Sequence, residues 1–320
     1  MGSERITEKK SLEEIVAQLR GKFAEDGQNL ESYLEGLLLS NYLNYWDYIK
    51  LDTLLSLQQP KTNFPDEYIF VVYHQIAELY FNLILFDIKQ LGKEPFTQQN
   101  FENKLQRISN YIQQILNSFE DVIGSITKEQ FFQFRNALMP ASGFQSFQFR
   151  EIEFAIAPLQ NLLESAEKQH IEQGFSIEEN YQKVYWKKGS CDAKTGKKTL
   201  TLVEFEQKYD TYLLNKINEY QSANLFFYYQ KAKAEGFELN KINVLLKEID
   251  EKFNVHFALI HYKAAAKHLR HNAKDVASTG GTNWQQYLPP RFQRIIFFPE
   301  LWTVQEKEEW GKKFVDGIVL

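Results

Sequence analysis

The chain has 320 residues, and its 37 Lys+Arg against 42 Asp+Glu leave a formal net charge of −5. That balance argues against a nucleic-acid partner, because binding a phosphate backbone needs a basic surface. With only 15 Gly and 8 Pro beside 26 Phe and 17 Tyr, the composition suits long helices with aromatic interiors and argues against β-sandwiches, collagen-like chains and disordered tails.

The single cysteine, Cys191, excludes an intrachain disulfide framework and any structural zinc site built on several cysteines. A polar start with no apolar signal core, together with that cysteine usage, gives a soluble, cytoplasmic protein as the expectation.

In chain order, Ser11-Leu-Glu-Glu14 is a capping-box pattern that opens an N-terminal helical arm over residues 1–40. The remainder, 41–320, reads as a single helical domain. Helical spacing covers 42–58, and Pro65 followed by Asp66-Glu67 marks the first turn of a helix running to about Gly92. Its apolar stretch from Ile69 to Phe86 is interrupted by His74, Gln75, Glu78 and Asn82, which a lipid-facing span would not tolerate, so no membrane partner is expected. Helices are predicted over 98–123, over 128–138 behind the capping box Thr127-Lys-Glu-Gln130, and over 145–168, 202–234 and 239–273. Between them, the polar, Lys/Gly-rich segment Trp186–Lys198 predicts an exposed loop or hairpin tip near 184–201, with its lysines in water. Ala277-Ser-Thr-Gly-Gly-Thr-Asn283 predicts a turn after the last long helix.

Four of the six histidines lie in the last predicted helix. His261 is followed by Ala264-Ala265-Ala266, so its imidazole stands over a nearly flat patch of methyl groups. That is either a core histidine at a close helix crossing or an axial nitrogen beside a surface that admits a broad planar group such as a porphyrin. His74 sits in a helix apolar nearly all round, with Phe70 on the same face, and is either a satisfied core group or one wall of a pocket. Arg135, flanked by aromatics in Phe131-Phe-Gln-Phe-Arg135, reads as buried and in need of an anion, from the protein or from a ligand carboxylate. His268 and His271 stand among Lys267, Arg270 and Lys274 and read as a solvated face.

Three separated segments together resemble the tryptophan 2,3-dioxygenase family. They are Tyr45-Trp-Asp-Tyr48-Ile49-Lys-Leu-Asp52 with Asp66-Glu67-Tyr-Ile-Phe70-Val-Val-Tyr-His74-Gln-Ile-Ala-Glu78, then Phe134-Arg135-Asn-Ala-Leu138-Met-Pro-Ala-Ser142-Gly-Phe-Gln-Ser-Phe-Gln-Phe-Arg150, then His261 with Ser278-Thr279-Gly-Gly281. The resemblance implies an all-α, helical haem-dioxygenase fold, a homotetramer, and conversion of L-tryptophan and O₂ to N-formyl-L-kynurenine. The implied cofactor is non-covalent haem b, ferrous when active, with O₂ as co-substrate.

By position, His261 is implied as the proximal haem ligand and His74 as the acceptor of the indole N–H. Arg135 is implied as the carboxylate clamp and Thr279 as a contact to the substrate's charged end. Phe70, Phe131, Leu138 and Ser142 line the pocket in this reading, and Tyr45, Tyr48 and Ile49 close a neighbouring subunit's pocket. The stretch from His261 to Thr279 is a few residues longer than the family pattern, which makes His256 the rival ligand. Relatives that anchor haem through a cysteine four residues after the histidine have Ala265 at that position here, so a thioether is excluded. The alternative classes are a haem-dependent monooxygenase of a modified indole or aromatic amino acid, and a haem-free helical interaction protein.

Overall fold

The computed structural model describes residues 10–139, 141, 143–163, 176–191, 195–271, 274–275 and 294–312. They fold as helices, joined by one two-residue antiparallel pair in which Arg270 faces Asp275 and His271 faces Lys274. The chain divides into two compact units, one ending at Leu57 and one beginning at Gln58.

The first unit holds α1 (Leu12–Glu25), α2 (Leu30–Leu39), α3 (Tyr45–Tyr48) and α4 (Leu51–Leu55). The Ser11 capping box forms as the sequence predicts: Ser11 accepts from the Glu14 amide, and the Glu14 carboxylate accepts from the Ser11 amide. The helix expected over 42–58 is two short ones, because Lys50 takes a left-handed φ of 56° between them.

In the second unit α5 (Pro65–Gln90) begins with Pro65 at its first turn and packs against α6 (Gln98–Ser118) and α8 (Phe147–Ile156). By length and composition α5 is apolar enough to cross a bilayer. Yet Tyr73, Ala77, Phe81, Ile84, Leu85 and Ile88 are buried in the protein core, while Tyr68, Ile69, Ile76, Leu79, Leu83 and Phe86 are exposed. Between α6 and α8, α7 (Lys128–Phe134) starts at the Thr127 capping box and tightens into a 3₁₀ turn over Arg135–Leu138. Pro158 ends the segment expected to run to 168, since its ring admits no helical hydrogen bond at that point.

The segment near 184–201 corrects its expectation. After α9 (Ile177–Tyr181), Tyr185–Gly189 forms a short helix, α10, in which Trp186 and Lys187 are buried rather than exposed. The Lys187 ammonium is paired: its Nζ lies 3.0 Å from Asp210 and 3.1 Å from Glu206, and 3.9 Å from the centre of the Tyr181 ring. Both carboxylates come from α11 (Leu200–Tyr220). Among the described residues, only the exposed stretch 195–198, with Lys198 bridged to Cys191, fits the sequence reading; residues 192–194 lie outside them.

The helix expected over 202–234 breaks before α12 (Leu225–Ala234), where the Asn224 side chain accepts from the Phe227 amide and caps the new helix. The last long helix comprises α13 (Leu239–Glu251), a π-helical turn over Lys252–His256, and α14 (Phe257–Leu269). A second π-turn, Phe119–Ile123, follows α6. Such wide turns are frequent at functional sites, and both of these border the cavity described next.

Candidate haem and substrate cavity

A cavity of about 620 Å³ opens among α5, α7, α8, α10 and α14, within the size range of small-molecule and cofactor sites. Its wall is mostly aromatic and aliphatic, and His74, Glu78, Arg135, Arg150, Asn254, His261 and His268 supply polar groups.

His261 comes from α14, where Ala264 and Ala265 continue the same face and also line the cavity. Its ring lies 4.5 Å from Phe119 and 4.4 Å from Phe257. Nδ1 is 2.8 Å from the Phe257 carbonyl oxygen. A carbonyl can only accept, so Nδ1 carries the proton and Nε2 keeps its lone pair. Burial pushes His261 down to about 4, against the raising effect of the Phe257 bond and with a further push from His74. The imidazole is therefore neutral near pH 7, the state in which it can bind a metal. His256, on the π-turn, does not line this cavity.

His74 repeats the arrangement on α5. Its Nδ1 donates to the Phe70 carbonyl at 2.7 Å and its ring packs on Phe70 at 4.1 Å. Burial lowers its pKa, opposed by the Phe70 bond and by Glu78. His74 thus offers Nε2 as an acceptor.

Arg135 is 7% exposed, lines the cavity from the 3₁₀ turn after α7, and holds its guanidinium 5.2 Å from the centre of the Phe132 ring. Desolvation lowers its pKa. Phe70, Phe131 and Leu138 also line the cavity, with Phe131 5.6 Å from Phe134 and 6.4 Å from Phe70. Ser142 and Thr279 lie outside the described residues. Tyr45, Tyr48 and Ile49 belong to the first unit, where they are 70%, 77% and 36% exposed.

Several cavity residues escaped the sequence reading. Arg150 is buried, donates from Nη1 to both carboxylate oxygens of Glu153 at 3.0 and 3.1 Å, and stacks 5.2 Å from Trp186; the Tyr185 hydroxyl also donates to Glu153. The Arg150-x-x-Glu153 spacing inside an apolar helix was the available signal. Glu78 accepts from the Gln148 amide at 2.8 Å. His268 was read as solvated, which the structure corrects: it is 4% exposed and packs on Phe131 at 5.0 Å. Its neighbours Lys267 and Lys263 stay outside, because α14 turns one face to the cavity and its lysines to solvent.

Residues 37–184 match the family described as tryptophan 2,3-dioxygenase. The tryptophan 2,3-dioxygenase of Bacillus thuringiensis (strain Al Hakam) is 38% identical over 117 residues, 36% of this chain and 41% of that protein. That of Ruegeria sp. (strain TM1040) is 40% identical over 117 residues, again 36% and 41%. That of Exiguobacterium sibiricum is 34% identical over 134 residues, 41% of this chain and 47% of that protein. The chain thus spans less than half the length of these relatives. The family match includes His74 and Arg135, whereas His261 and His268 lie beyond it.

Proposed function

We propose that this protein is a haem-dependent dioxygenase that converts L-tryptophan and O₂ to N-formyl-L-kynurenine. What supports this most is the pairing of His74 and His261 on the wall of one cavity, each neutral and each with Nε2 left free by a bond from Nδ1 to its own helix.

The residues fit an iron porphyrin. His261 Nε2 is a neutral nitrogen that would hold the iron, and Ala264 and Ala265 beside it would give the macrocycle an apolar wall. Bound there as non-covalent haem b in its ferrous state, the cofactor supplies dioxygen activation and the redox chemistry.

The protein's own task is then to position the substrate. Arg135 holds the amino-acid carboxylate through its planar fork, with Thr279 as a second contact to the charged end. Phe70, Phe131 and Leu138 flank the indole, and His74 Nε2 accepts the indole N–H; Ser142 keeps only the pocket role that the resemblance implies. The buried wall excludes bulk water and strengthens each of these bonds.

The active assembly in this proposal is a cytoplasmic homotetramer in which Tyr45, Tyr48 and Ile49 complete a neighbour's pocket. Their exposure, and the exposed apolar side of α5, are consistent with surfaces that a second copy covers.

The test is aerobic turnover of L-tryptophan by the haem-loaded, reduced protein with ¹⁸O₂, read by mass spectrometry. A product carrying two labelled oxygen atoms is expected. A singly labelled product points to the monooxygenase alternative, and absence of haem uptake removes both.

A further inference from the structure

One face of α14 carries His261, Ala264, Ala265 and His268, and all of them line the cavity. The rise of a helix separates the two histidines by about 10 Å along its axis, so His268 stands beyond the two alanines. His268 is nine-tenths buried, and among the described residues its Nδ1 has no hydrogen-bond partner. A buried ring nitrogen in that condition is unusual and calls for a missing partner.

The surroundings identify the chemistry of that partner. His268 packs on Phe131, which lies one turn before Arg135 in the chain, and Arg135 lines the same cavity. Burial, then Lys267 and Lys128, hold the imidazole at about 4, so it is neutral in a positive local field. A neutral N–H donor beside cations complements an anionic oxygen far better than a cation or an apolar group.

We propose that His268 recognises a carboxylate inside this cavity, donating a ring N–H to one of its oxygens. The inference rests on the proposed function, which brings carboxylates from two sources: the amino-acid end of the substrate and the propionates at the porphyrin edge.

The experiment compares wild type, His268→Phe and His268→Gln as haem-loaded proteins, with two arms. In the first, Kd is measured for L-tryptophan and L-tryptophanamide from the change in the haem spectrum. In the second, the release rate is measured for haem and for its dimethyl ester. His268→Phe keeps the contact with Phe131 and loses the donor. It is expected to weaken the carboxylate-bearing member of one pair roughly ten-fold or more, as a hydrogen bond to a charged group would, while its neutral counterpart changes less than about two-fold.

His268→Gln, which keeps an N–H donor, restores most of the loss. Selectivity in the first arm assigns the carboxylate to the substrate, and selectivity in the second assigns it to the propionate. Equal effects on both members of each pair, or none, overturn the inference while leaving the proposed function intact. A wild type that takes up neither haem nor tryptophan overturns both.

Discussion

His74 on α5 and His261 on α14 are held in the same way: each donates Nδ1–H to the carbonyl one helical turn upstream, Phe70 at 2.7 Å and Phe257 at 2.8 Å, and each leaves Nε2 as the free nitrogen on one cavity. The bond fixes tautomer and ring orientation together. They differ in the next turn of the helix, where His261 is followed on the cavity wall by Ala264 and Ala265, and His74 by Ala77 and Glu78.

From this, His74→Ala keeps its haem, binds L-tryptophan more weakly and turns over more slowly by a modest factor. The loss should correspond to about 0.5–1.5 kcal/mol, typical of one hydrogen bond between neutral groups. 1-Methyltryptophan, with no indole proton, should remain a substrate of the wild type. Single-turnover rates decide the matter: a variant that binds tryptophan normally with no measurable chemistry would make His74 an obligatory base, a loss of roughly 10²–10⁴-fold.

Arg135→Leu should raise KM for L-tryptophan far more than it changes haem content. A charge-assisted bond from a buried guanidinium to a carboxylate contributes about 1.5–3 kcal/mol, or roughly ten-fold to a hundred-fold in KM. Tryptamine, which lacks the carboxylate, should be nearly indifferent to the substitution. Equal loss on both compounds would place Arg135 in a structural role.

His268 gives a pH signature to the folded state. Burial, Lys267 and Lys128 lower it from its ordinary 6.5 to about 4. Between those values the unfolded chain binds a proton there that the folded chain does not, so its contribution to stability is complete above about pH 6.5 and declines as pH falls toward 4. Urea unfolding of the cofactor-free protein across that window should show a shallower decline for His268→Gln than for wild type. Parallel curves would mean that the ring protonates alike in both states.

Asp250 is a buried anchor for the segment after residue 293. It accepts from the Phe297 and Phe298 amides at 3.0 and 3.1 Å, from the Trp302 indole at 3.0 Å, and from Asn254, a cavity residue, at 2.8 Å. Asp250→Ala strands these donors, each at a cost of about 1–3 kcal/mol when buried, so a loss of several kcal/mol is expected as a lowered urea midpoint. An unchanged midpoint would show that the packing of Phe297 and Phe298 holds the segment alone.

The helical architecture was legible in the sequence because caps and apolar spacing are local signals. Both early capping boxes and the Pro65 start formed where they were read. The breaks at Lys50 and Asn224 were not legible, since a single polar residue within helical spacing gives little warning of a change in backbone angle. His74, Arg135 and His261 carried signals in their neighbours, and the fold gathered them on one cavity. Lys187 and His268 were misread for one reason: a charge-rich local sequence suggests solvent, whereas burial depends on partners distant in the chain, Asp210 and Glu206 for the lysine and Phe131 for the histidine. Arg150 needed Tyr185 and Trp186, which lie on another helix, before its place in the wall could be seen.

The most direct test is titration of the cofactor-free protein with haem, followed through the Soret band, for wild type, His261→Ala and His256→Ala. The account predicts stoichiometric uptake by wild type and by His256→Ala, and loss of the ligated spectrum in His261→Ala with helical circular dichroism retained, because one iron ligand goes while the core stays. Normal uptake by His261→Ala, with loss in His256→Ala instead, would contradict it.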